Sequence, residues 1–79
     1  ECFVGQIQPF SFNFAPMDWL PCLGQILNVA QYQALFALLG YRFGGNGSTT
    51  FGLPDLRNAS LANGCQYCIA INGIWPSQE

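Results

Sequence analysis

Gln33-Ala34-Leu35-Phe36-Ala37-Leu38-Leu39-Gly40, running on through Gly44-Gly45-Asn46-Gly47 to Phe51-Gly52-Leu53-Pro54-Asp55-Leu56-Arg57, holds most of the fold information in this chain. Tyr32, Leu35, Phe36 and Leu39 recur at i, i+3, i+4 and i+7, which is one face of a helix. The spacing predicts a helix over about Gln31 to Leu39, stopped by Gly40 where a left-handed residue is wanted. Its N-terminus is poorly capped, because Ala30 offers no side-chain acceptor and Asn28 stands two residues early. Two or three turns, roughly, are not stable alone. The helix must dock on apolar strands on either side of it. Beyond it the glycines mark a loop, and Pro54-Asp55-Leu56-Arg57 closes a tight turn.

The rest of the chain supplies the strands. Phe3 to Phe14 reads as a strand or hairpin pair, with Phe10, Phe12 and Phe14 alternating with Ser11 and Asn13 so that the rings share a face. Pro9 assigns it to an edge or a bulge. Ala15-Pro16-Met17-Asp18 is a turn, and Trp19 to Gln25 is a short extended segment broken by Gly24. Ile26, Leu27 and Val29 lead into the helix. Asn58 to Gly64 is a small polar connection, Tyr67-Cys68-Ile69-Ala70-Ile71 a buried strand, and Asn72-Gly73 a turn. No repeat or long linker divides the chain, so residues 1–79 are read as one domain.

Composition narrows the function. A chain of 79 residues has room for one small core, which supplies only about 3–5 kcal/mol without staples. Four cysteines are the available staples, and an even count in so small a domain belongs with an oxidising compartment. The first residue is Glu1 rather than Met, which points to a processed or partial product. Only 8% of residues are charged, with two arginines, four acids and no histidine, where about 25% is usual. Such a chain cannot cover itself with charge, so copies of itself or another partner are expected on part of its surface. There is no basic footprint for nucleic acid. No apolar run approaches the roughly 20 residues that span a bilayer, and 15% aromatics argue against disorder.

Few residues offer chemistry. Cys65-Gln66-Tyr67-Cys68 is a C-x-x-C, open to a redox or zinc reading. A zinc site wants a second close pair, but Cys2 and Cys22 are isolated and no histidine helps. A redox dithiol usually opens a helix, whereas these cysteines lead into a strand, where i and i+3 face opposite sides. Structural disulfides are the preferred reading, with three possible pairings. Gly44-Gly45-Asn46-Gly47 lacks the lysine of a phosphate loop and follows a helix instead of opening one, so it is a turn needing positive φ. Asp55 and Arg57 are read as a hydrogen-bonded ion pair tying down the Pro54 turn. Asn46-Gly47-Ser48 and Asn58-Ala59-Ser60 are N-glycosylation sequons in loops. No catalytic constellation, metal site or cofactor site is expected.

Several motifs carry a family resemblance. They are Ala15-Pro16, Trp19, Cys22, Gly24-Gln25, Gln33-Ala34-Leu35-Phe36, Leu38-Leu39-Gly40, Gly44-Gly45-Asn46-Gly47, Thr49-Thr50-Phe51 and Leu53-Pro54-Asp55-Leu56-Arg57. In that order they resemble the phage tail collar domain. Cys68-Ile69-Ala70, Gly73-Ile74 and Pro76-Ser77 are similar to the end of its microcystin-dependent-protein-like branch. Asp18 stands where the family usually has glycine, Leu23 where it has Asp or Asn, and Asn58 where it has glycine. The long variable segment that usually follows is nearly deleted, which leaves the collar core, a scaffold. The resemblance implies a small mixed domain, no enzymatic activity, and placement in fibres or at cell surfaces. Because Cys22 and Cys68 lie at family-like positions, it also implies a Cys22–Cys68 disulfide, leaving Cys2 with Cys65. Closing loops of ~45–60 residues would each add roughly 4 kcal/mol.

The expectation is therefore an α+β, disulfide-stapled, collar-like domain of short strands packed on one short helix. Its leading role is a non-enzymatic subunit of an extracellular fibre or pilus-like filament that packs against copies of itself, with covalent glycans possible at the sequons. The candidate assembly segment is Phe3, Val4, Ile7, Phe10, Phe12 and Phe14, adding to a neighbour's sheet edge. On that reading, deletion of Glu1 to Gln8 abolishes assembly and leaves the fold largely intact. The alternative is a receptor- or glycan-binding module of a tail fibre or adhesin, using Trp19, Trp75 and the tyrosines as stacking faces.

Overall fold

The computed structural model describes residues 2–11, 14–58 and 65–76. Five strands and one helix follow in the order β1 (Ile7–Phe10), β2 (Trp19–Pro21), β3 (Ile26–Asn28), α1 (Gln33–Leu39), β4 (Thr50–Gly52) and β5 (Gln66–Ala70). This is the expected α+β class. A three-stranded antiparallel sheet runs β1-β5-β2, and β3 pairs with β4. The strands flanking α1 in the sequence thus pair with each other, and the helix is the connection between them.

The β3–β4 ladder does not stop at the strand ends. Leu53 N–H donates to the Gln25 carbonyl, Gly24 N–H to Pro54, and Leu56 N–H to Cys22, at 2.9–3.3 Å. Residues 22–28 and 50–56 therefore form one long antiparallel ribbon, with Leu23 bridging Asp55. Its far end places Cys22 beside β5, where Cys22 N–H donates to the Tyr67 carbonyl at 3.0 Å. The ribbon and the three-stranded sheet meet at this point.

The core follows from helix and strand periodicity. Leu35, Phe51, Leu53 and Ile69 are fully buried with Val4 and Cys22. Tyr32, Phe36 and Leu39 pack against them, so the face read from the sequence is the buried face. Phe36 meets Phe51 with ring centroids 5.4 Å apart. No side chain caps the helix N-terminus. Tyr32 N–H instead bonds the Asn28 and Val29 carbonyls in a preceding turn. At the other end Gly40 takes φ 63° and donates to Phe36. Arg42 then reaches back with Nε on the Leu39 carbonyl at 3.1 Å and Nη2 on Leu38 at 3.3 Å. These are the orphan carbonyls of the last turn, where a cation is also favoured by the helix dipole.

The N-terminal segment is part of the fold. β1 pairs with β5 in register Ile7–Ile69 through Phe10–Gln66, Val4 lies in the core, and Phe3 bridges Ile74. The expectation that deleting Glu1 to Gln8 leaves the fold largely intact is corrected: the deletion takes half of β1 and the buried Val4. Asp18 is the non-glycine residue at positive φ, 69°, among the described residues. Glycine at this position would meet no such strain. Its Oδ1 accepts from Asn72 Nδ2 at 3.0 Å, which fastens the turn before β2 to the turn after β5.

Candidate functional site

The cysteines are arranged by strand register. Opposite residues of an antiparallel pair point to the same face, and successive residues to alternate faces. Leu20 faces Ile69, and both belong with the core. Cys22, two residues on, shares that face with Tyr67, two residues back from Ile69. Cys68 is paired with Pro21 and Gln8, which puts it on the opposite face. There Gln66 Nε2 donates to its sulfur at 3.8 Å. On that face Phe10 and Trp19, opposite Gln66 and Ala70, meet edge to face at 5.1 Å.

All four cysteines are free thiols, so the expected disulfides are not present. The reasons are geometric. Cys22 and Cys68 are both buried but point to opposite sides of the sheet, and Cβ vectors that diverge cannot be bridged without moving backbone. Cys2 sits at the far end of β5, its carbonyl accepting from Ile74 N–H and its thiol 3.7 Å from the Asn72 carbonyl. Cys65 precedes β5 at the near end, and the five residues of that strand separate the two by about 16 Å. Burial pushes the Cys22 thiol up to about 11, with the charge of nearby Cys68 adding to the effect. Burial also raises Cys68, partly offset by the Gln66 hydrogen bond.

A pocket of about 150 Å³ opens where the ribbon meets β5, lined by Cys22, Leu23, Leu56, Arg57, Cys65, Gln66 and Tyr67. At its rim Arg57 makes a two-pronged pair with Asp55, Nε to Oδ1 at 2.9 Å and Nη2 to Oδ2 at 2.7 Å. The Arg57 backbone N–H adds a third bond to Oδ1 at 3.2 Å. Arg57 holds the Asp55 carboxyl down to about 2, through its side chain first and then its backbone N–H. Both side chains are largely exposed, and an exposed pair contributes little to stability. It shapes the turn after buried Pro54. No group of metal-ligating side chains occurs among the described residues.

Asn46 organises its own loop. Its Oδ1 accepts the backbone N–H groups of Ser48, Thr49 and Thr50 at 2.8–3.1 Å, and Nδ2 donates to Thr49 Oγ1 at 3.0 Å. The sequence shows this asparagine as a sequon within a glycine-rich turn and gives no hint of the knot, apart from the run Ser48-Thr49-Thr50 behind it. Gly45 lets the loop close: a Cβ there would lie 2.4 Å from Phe51 Cα. Asn58, the other sequon, is exposed. The capping role of Arg42 was also missed, although a cation two residues past a glycine stop is a readable signal.

Phe3, Phe14, Met17, Ile26, Tyr41, Phe43, Ile74 and Trp75 are exposed large hydrophobic residues. Of the candidate assembly residues, Phe3, Ile7 and Phe14 are exposed, Phe10 is half-buried, Val4 is buried, and Phe12 lies outside the described residues. Phe3 and Ile74 pair in a parallel bridge, and Trp75 follows Ile74 in the chain.

Both outer strands of the three-stranded sheet carry proline where the backbone faces outward. Gly5 and Gln6 bond Ala70, so by alternation Ile7 and Pro9 point away from β5. On the other edge the Asp18 carbonyl accepts from Ile71 N–H, just past β5, and Cys22 N–H donates to Tyr67 of β5, so by alternation Trp19 and Pro21 point away. Trp19 N–H is taken by the Pro16 carbonyl, and the Pro21 carbonyl by Gln25 Nε2 at 2.9 Å. These are devices that blunt a sheet edge.

The phage tail collar domain family matches residues 5–61, more than half of the chain. The chain belongs to the phage tail collar domain family. The match takes in β1 to β4, the helix, the Asn46 loop and the Asp55–Arg57 turn. β5 lies beyond it and still forms the centre of this collar domain's larger sheet. No curated protein and no solved structure matches the chain. Collar domains are structural parts of phage tails and are not known as enzymes. No helix among the described residues is long and apolar enough to cross a membrane.

Proposed function

We propose that this collar domain, residues 1–79 acting as one unit, is a subunit of an extracellular fibre that self-assembles by packing apolar surface against apolar surface. The observation that carries the reading is the exposure of Phe3, Ile74 and Trp75 on either side of one backbone bridge, in a chain with only two basic side chains. Large apolar side chains exposed side by side mark an interaction surface. Strand addition contributes little on this account. The free edge of β1 offers the Ile7 amide and carbonyl, but Pro9 has no N–H to give. A standard interface needs about 800 Å² from each partner, which a single edge residue cannot supply.

Sedimentation velocity on the wild type and on Phe3→Ser and Trp75→Ser tests this. Concentration-dependent assembly that both substitutions weaken at least tenfold is the expected result. A monomeric wild type, or assembly untouched by both, overturns it.

Glycans on Asn58 would add polar cover to a surface poor in charge. Asn46 is the poorer acceptor because its amide is spent inside the loop. A glycan-binding role is favoured by one observation, the exposed faces of Trp75 and Tyr41. Trp19 does not support it, since its ring is held against Phe10. Binding of a glycan array that Trp75→Ser abolishes, with assembly absent, would make the second reading the better one.

A further inference from the structure

We propose that oxidation joins Cys22 to Cys65, across the pocket at the junction of the ribbon and β5, and that neither forms a bond with Cys68. Three observations carry this. Cys22 and Cys65 line the same pocket. Register places them on the same face: Cys22 stands opposite Tyr67, and Cys65 is two residues from Tyr67 along that face. Cys68 is on the other face, with Pro21 and Gln8 as its partners.

The two cysteines also differ in access. Cys22 is buried, and Cys65 is partly exposed at the pocket wall. Cys65 is therefore the thiol that an incoming oxidant reaches first. With a low-molecular-weight disulfide as oxidant, the Cys65 thiolate attacks one of its sulfurs and releases one small thiolate. Cys22 sulfur then attacks the Cys65 sulfur of the mixed disulfide and releases the second. The two protein thiols lose two electrons and two protons, and the small disulfide leaves as two thiols. The diagonal across an antiparallel pair spans about 7–8 Å between Cα atoms, slightly more than the roughly 4.4–6.8 Å of a disulfide. Cys65 lies just outside β5, so it can close the difference without breaking the ladder.

The bond would tie the end of the ribbon to the start of the central strand and close the pocket mouth. It would act on the collar core as a clamp that an oxidising exterior sets.

The reduced chain is incubated with excess oxidised glutathione at about pH 8, near the ordinary thiol pKa. It is then alkylated and digested with chymotrypsin, which cuts after Tyr67 and so separates Cys65 from Cys68. The expected product is a cross-link between the peptides holding Cys22 and Cys65, with Cys68 alkylated and Cys2 either alkylated or carrying glutathione. Cys68→Ala closes within about twofold of the wild-type rate, and Cys65→Ser leaves Cys22 alkylated. A Cys22–Cys68 cross-link, four alkylated cysteines, or equal loss of Cys22 alkylation in Cys65→Ser overturns the proposal. Near-ultraviolet circular dichroism of each variant establishes that it is folded before oxidation.

Discussion

Asp18 offers a quantitative test of the fold. It holds φ at 69°, in the left-handed region that costs an ordinary residue roughly 1–2 kcal/mol and Asp or Asn less. Its carboxylate accepts one bond from Asn72, worth about 1 kcal/mol. Asp18→Ala loses the bond and bears the full backbone cost, for a total of about 1.5–2 kcal/mol. Asp18→Gly loses the bond but relieves the backbone by about 1 kcal/mol, a net change within ~0.5 kcal/mol. Asp18→Asn keeps both an acceptor and left-handed tolerance, and should also lie within ~0.5 kcal/mol. The order of stability is then Asn and Gly together, with Ala well below. In a domain this small each kcal/mol shifts Tm by about 4–8 °C, so Ala should fall by roughly 10 °C. Urea denaturation followed by the fluorescence of neighbouring Trp19, with unchanged m-values, gives the numbers. An alanine variant as stable as wild type, or a glycine variant as damaged as alanine, would refute the reasoning.

Leu35→Ala empties the position where α1 enters the core, fully buried. It should cost about 2–5 kcal/mol, enough to leave the reduced chain largely unfolded at 25 °C by circular dichroism. Gly45→Ala puts a Cβ 2.4 Å from Phe51 Cα at φ +86° and should cost at least about 2 kcal/mol, read as a fall in Tm. Asp55 should titrate at about 2 by NMR, below its ordinary value of 3.8. Because its folded pKa is lowered, its stabilisation is present above about pH 4 and is lost as pH falls toward 2. Asp55→Asn should remove that part of the acid transition.

What the sequence made legible was local. The helix face was readable because Tyr32, Leu35, Phe36 and Leu39 repeat at the period of a helix. The Asp55–Arg57 pair spans two residues, and Pro9 announced an edge strand. Three-residue strands such as β3 and β4 are too short to show a period, so their pairing around α1 was not visible. The cysteines failed for a different reason. Which face Cys22 and Cys68 occupy depends on the register of β2 against β5, and strands 45 or more residues apart in sequence leave no trace of register. A one-residue slip would exchange the faces. The Phe3–Ile74 bridge joins early and late parts of the sequence and was equally out of reach. The aromatic alternation at Phe10 to Phe14 suggested a longer strand than β1, which ends at Phe10.

Self-assembly through apolar surface is the claim on which the functional account rests, and negative-stain electron microscopy of native, non-reduced material tests it most directly. Regular filaments, lost in Trp75→Ser, are the predicted result. Uniform single particles at every concentration would contradict the account.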